Sequence, residues 1–150
     1  MSSKKQIANE LFFASVEEII AEGRSVEMTV KGFSMRPFVR NERDVVVLSP
    51  LESDSLRVGM VLLFRYKGRH TLHRLVATSG SRLIMEGDGN YRTTEVVGPE
   101  DVVAYVSEVR LEGAPTFKYN SVGWRCRSAL SLARKRARRL ALDLKHKIMK

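Results

Sequence analysis

The chain has 150 residues, of which 43% are hydrophobic and 29% charged, with Lys+Arg 26 against Asp+Glu 17 and a formal net charge of +9. That length can bury the core of one domain, and the composition excludes wholesale disorder. A lone Cys126 excludes an intrachain disulfide, no Cys/His cluster suggests structural zinc, and no run approaches the roughly 18 apolar residues of a membrane span.

The opening residues lead into an apolar run broken by Glu10, Glu17 and Glu18, which is not the pattern of a secretory signal peptide, so a cytoplasmic location is expected. Within residues 5–22, Ile7, Leu11, Phe12, Val16, Ile19 and Ile20 recur near helical spacing and Gly23 supplies a stop, which predicts an amphipathic helix. Val26–Lys31 then alternates apolar and polar residues, which is strand periodicity. Asp44–Leu48 and Gly59–Tyr66 are short apolar runs, Lys67-Gly68-Arg69 is a turn, and His70–Ala77 alternates again as the returning arm. Arg82–Glu86 and Asp101–Val109 complete a set of short strands punctuated by Gly, Pro and Asp. The expected fold is mainly β, with a helix at each end. Its expected divisions are an N-terminal helix over 1–23, a β body over 24–112, and a linker with a basic helix over 113–150.

The charge is concentrated at one end. Residues 121–150 hold ten Lys/Arg and one acid, Asp143, which accounts for the whole excess, whereas residues 1–120 carry sixteen of each sign. Turned at about 100° per residue, Leu130, Ala133, Ala137, Leu140, Ala141, Leu144 and Ile148 form an apolar stripe. Arg134, Lys135, Arg138, Arg139, Lys145 and Lys150 fall to one side of it, where Leu132 and Leu142 break the pattern, and Trp124 precedes it as a candidate interfacial anchor. The expected partner of residues 124–150 is an anionic membrane surface, with nucleic acid ranked lower. The rival expectation is a helix that docks its apolar stripe on the body and shows its bases to solvent.

The chemistry lies in the body. Ser34 sits at the end of a strand between Gly32 and Pro37, on a stiff turn. A serine hydroxyl becomes a nucleophile only when a base within hydrogen-bond reach takes its proton. His73 is the best base, because a neutral imidazole is matched to pH 7. His70 lies three residues away and points to the opposite face of an alternating strand, and Lys67 in its turn would stay solvated and charged. Asp88 is either the acid that orients the imidazole or only the Asp-Gly of a hairpin turn. The backbone N–H of Ser34 is the expected oxyanion donor. Phe33 and Phe38 either line a substrate groove or fill core.

Gly32-Phe33-Ser34-Met35-Arg36-Pro37 resembles the serine box of the signal peptidase I and LexA-like serine peptidases. Leu72-His73-Arg74-Leu75-Val76 is similar to the histidine box of the archaeal and endoplasmic-reticulum-type signal peptidases, and Gly87-Asp88-Gly89-Asn90 to that family's G-D-x-N box. The resemblance covers roughly residues 24–110. It implies Ser34 as nucleophile, His73 as general base and Asp88 as orienting acid, in peptide-bond cleavage through an acyl-enzyme without metal or cofactor. It implies a coiled, mostly antiparallel β fold, and a peptide or precursor protein as substrate. Gly32 stands where bacterial signal peptidases often carry a second serine. The Ala-Gly and Cys-Gly bonds at which LexA-type repressors cut themselves are absent, so self-cleavage is not expected. The competing expectations are a catalytically idle peptide-binding module and a basic nucleic-acid-binding accessory protein.

Overall fold

The computed structural model describes Ser2–Met149, with side chains described from Asn9 onward; Ile7 and Lys150, both named above, lie outside the described side chains. Strand alternation and apolar runs resolve into β1 (Val26–Thr29), β2 (Val45–Ser49), β3 (Val61–Tyr66), β4 (Arg69–Ser79), β5 (Arg82–Glu86), β6 (Glu95–Val97), β7 (Val102–Arg110) and β8 (Thr116–Lys118). Helices α1 (Ser2–Ala21) and α2 (Val122–Ile148) stand at the two ends. The protein is therefore mainly β with flanking helices. β8 falls inside the stretch expected to be linker, and the sequence pattern predicts neither it nor β6.

All eight strands join one antiparallel sheet in the order β1-β2-β7-β3-β4-β5-β6, with β8 on β7. β3 explains how the layers form. It lies between β7 and β4, and its residues Val61–Phe64 are buried on both faces. Val61 and Leu63 join one cluster with Val46, Leu48, Val106 and Val109, while Leu62 and Phe64 join another with Leu75, Leu83 and Met85. Each fully buried side chain of this kind contributes about 1.5–3 kcal/mol. α1 closes the first cluster with Phe13, Val16 and Ile20, and leaves Leu11 and Phe12 exposed.

α2 begins with Ser121 as N-cap, whose hydroxyl accepts from the Trp124 N–H at 3.2 Å. Trp124 does not anchor to an interface. It is 3% exposed and packs edge-on against Phe38 and Tyr119, with centroids 4.9 and 5.3 Å apart, because the first turn of the helix lies directly on the core. Among the described residues no helix is long and apolar enough to cross a membrane.

Candidate active site

The loop after β1 carries the serine. Gly32 sits at φ +106°, in the left-handed region open to glycine, and its N–H donates to Asn41 Oδ1 at 2.7 Å. The far end of the loop is held by Asp44, which is fully buried and accepts from the Arg40 N–H at 2.8 Å and from Arg40 Nη2 at 2.8 Å. Burial alone would raise the Asp44 carboxyl, but the bonds from Arg40 outweigh it and hold the group below its ordinary value. Met35, Phe38 and Val39 turn into the core, which anchors the turn and leaves Phe33 and Ser34 exposed beside one another. Phe38 is thus core, and Phe33 lies at the surface with the Arg36 guanidinium 4.6 Å from its ring centroid. Among the described residues the Ser34 hydroxyl and backbone N–H make no hydrogen bond, so both stay free for a ligand.

His73 lies on β4 opposite Leu62 of β3 and is 6% exposed. Alternation sends His70 to the other face, where its ring stacks on Phe13 at 4.4 Å and its Nε2 lies 3.7 Å from Glu17. Lys67 sits in the β3–β4 turn at φ +49° and is exposed. His73 is therefore the imidazole nearest the serine turn.

The two segments meet over the Gly87-Asp88-Gly89 turn. The Gly89 N–H donates to the Ser34 carbonyl at 2.8 Å, and the Asn90 N–H closes the turn on the Gly87 carbonyl at 3.0 Å. A methyl group on Gly87 would overlap the Ser34 carbonyl oxygen and stand 3.0 Å from His73 Nε2. One on Gly89 would overlap the Phe33 carbonyl and stand 3.1 Å from that of Arg36. The two glycines let the serine turn settle onto the imidazole. They are required for close approach, not for a special backbone angle.

Asp88 is not the acid on the imidazole. It is 2% exposed and accepts from Arg74 Nε at 2.8 Å, from Arg74 Nη2 at 2.7 Å and from the Ser131 hydroxyl at 2.7 Å. Arg74 also donates to the Gly59 carbonyl at 2.9 Å and lies 4.6 Å from the Phe38 ring centroid. The physical reason is the strand period: Arg74 and His73 are adjacent and point to opposite faces, and Asp88 follows Arg74. Glu95 of β6 lies against His73 Nδ1 in its place, off the line of the N–H bond. Burial of His73 lowers its pKa, and the adjacent Glu95 raises it by less, so the net direction is down from 6.5. The imidazole is neutral at pH 7, with Nε2 toward the serine turn and Nδ1 toward a carboxylate. Such a pair can move a proton from a hydroxyl.

α2 covers the back of the GDG turn. Lys135, 5% exposed, donates to Glu86 Oε1 at 2.6 Å and to the Gly87 carbonyl at 2.8 Å. Arg139 reaches the Tyr91 carbonyl and Glu86 Oε1, both at 3.2 Å, and Ser128 accepts from Arg74 at 3.1 Å. Arg127 donates to the Phe38 and Pro37 carbonyls at 2.8 and 2.9 Å, behind the serine turn. Glu95, Lys135, Ser131 and Arg127 carry no motif, and only the folded register reveals them. Among the described residues no three His, Cys, Asp or Glu side chains converge as metal ligands.

Compared with models of known protein families and with curated proteins, the chain matches none.

Proposed function

We propose that this protein is a serine endopeptidase that cleaves a peptide bond in a precursor or leader-type protein. The observation that carries the reading is the packing of the exposed Ser34 turn against His73 Nε2 across a position only glycine can occupy, with Glu95 behind the imidazole. His73 Nε2 takes the Ser34 Oγ proton as Oγ attacks the substrate carbonyl, and the Ser34 N–H donates to the oxygen that becomes negative. The tetrahedral adduct collapses, the C–N bond breaks, and the amine leaves with the proton from His73. Water, deprotonated by the same nitrogen, then releases the acyl group from Ser34. Glu95 supports the imidazolium formed in both halves. The surface position of Phe33 suits an extended peptide laid over the turn.

The test is covalent labelling by a fluorophosphonate probe from pH 5 to 9, with cleavage of a peptide library read by mass spectrometry. The reading requires that modification or cleavage occur in the wild type and be lost in both Ser34→Ala and His73→Ala. A folded wild type that neither labels nor cleaves overturns it in favour of an idle peptide-binding module.

A further inference from the structure

A surface helix ordinarily buries its apolar stripe and shows its charges to water. α2 does the reverse. Its inward face carries Trp124, Arg127, Ser128, Ser131, Lys135 and Arg139, with the half-buried Leu132 and Leu142 on the same side, and is fixed to Asp88, Glu86, Tyr91 and backbone carbonyls of the body. The stripe of Leu130, Ala133, Ala137, Leu140, Ala141, Leu144 and Ile148 points the other way. Leu130 is 73% exposed, Leu140 63%, Leu144 59% and Ile148 82%. At a rise of 1.5 Å per residue this bare stripe runs about 27 Å. Helical spacing sets Arg134, Arg138 and Lys145 along one edge and Arg136 and Lys147 along the other; all are exposed and enter no ion pair among the described residues.

We propose that α2 lies lengthwise in the headgroup layer of an anionic phospholipid membrane, its stripe in the acyl boundary and its two basic edges on lipid phosphates. The charge pattern selects this occupant. Long basic side chains on both flanks lay their stems over apolar surface while their heads reach phosphate. A second copy seated stripe to stripe would bring basic rows against basic rows, since Asp143 is the helix's one acid. Nucleic acid would use the bases and leave the leucines in water. The inward contacts of Ser131 and Lys135 tie the membrane-facing helix to the GDG turn, so the same docking places the helix between that turn and the bilayer. The inference stands independently of the peptidase reading.

The test is sedimentation of the full chain with vesicles of phosphatidylcholine alone or mixed with phosphatidylglycerol. The wild type is expected to sediment with the mixed vesicles only. Affinity is expected to fall about tenfold or more in Leu140→Glu/Leu144→Glu and again in Arg134→Glu/Arg136→Glu/Arg138→Glu. The side chains at these positions are exposed and make no hydrogen bond or ion pair among the described residues, so unchanged thermal melting verifies the fold. The proposal is overturned if the wild type ignores anionic vesicles, or if the leucine variant binds them as well as the wild type. It is also overturned if the wild type is a dimer that the leucine variant makes monomeric, because the stripe then belongs to a second copy.

Discussion

The Glu95 carboxylate lies against Nδ1 of His73 from two strands away, reaching across Met85 of β5. Glu95 pairs with Met85, and Met85 with Leu75, so all three share the face of β4 that also carries His73. Burial lowers the His73 pKa and Glu95 opposes that shift. Glu95→Gln removes the opposing charge, so the acid limb of the labelling-rate profile is expected to move to lower pH. The plateau rate is expected to fall by roughly 10²–10⁴ as the imidazolium loses its support. Asp88 acts on the same imidazole more weakly, so Asp88→Asn should move the limb less. If Asp88→Asn shifts the profile more than Glu95→Gln, the assignment of the carboxylate is wrong.

Arg74 and Asp88 predict a different effect. Both are almost fully buried and joined by two hydrogen bonds, at 2.8 and 2.7 Å. Asp88→Ala leaves a buried guanidinium without its counter-charge, at an expected cost of about 3–5 kcal/mol in urea unfolding. Adding Arg74→Met should recover part of that loss, with a coupling of about 0.5–3 kcal/mol. Strict additivity would show that the pair does not hold the turn.

Gly87 separates crowding from backbone strain. A Cβ there overlaps the Ser34 carbonyl, which is backbone and cannot swing aside. Gly87→Ala should destabilise by about 1–3 kcal/mol and abolish probe labelling, because the serine turn must lift from His73. Gly80, at φ +61° with open space around it, is the control. Gly80→Ala should cost a similar amount through backbone strain and leave labelling intact.

These contrasts mark what the sequence could reveal. β3, β4 and β5 were legible within about two residues because alternation and apolar runs are local. β6 and β8 are three residues each, too short for a period, and form only because a neighbouring strand offers an edge. That the Ser34 turn and His73 come together was legible from residue type and order. The partner of His73 was not, since Asp88 stands in a recognisable turn while Glu95 opens a short strand with no motif. The register, with Arg74 opposite Glu86, carries Asp88 to the arginine. In α2 the stripe was legible but its direction was not. Lys135 and Ser131 dock on Glu86, Gly87 and Asp88, more than forty residues away in sequence.

The two body histidines also set a pH dependence of stability. His70 and His73 both have pKa values lowered from 6.5, chiefly by burial. Between the lowered value and 6.5 the unfolded chain binds more protons than the folded one, so stability rises with pH in that window. The contribution is complete above about pH 6.5 and is lost as the pH falls through the folded-state values. Asp44 and Glu86, held below their ordinary values by Arg40 and Lys135, take over in the carboxylate range at lower pH. Melting temperature measured at constant ionic strength should therefore be level from pH 8 to about 7 and decline toward pH 5. His70→Phe, which preserves the stack on Phe13, should make that decline shallower while leaving the pH profile of Ser34 labelling in place. A wild-type melting temperature that rises as the pH falls from 7 to about 5 would show that the imidazoles gain protons on folding, and would remove the basis for a neutral His73.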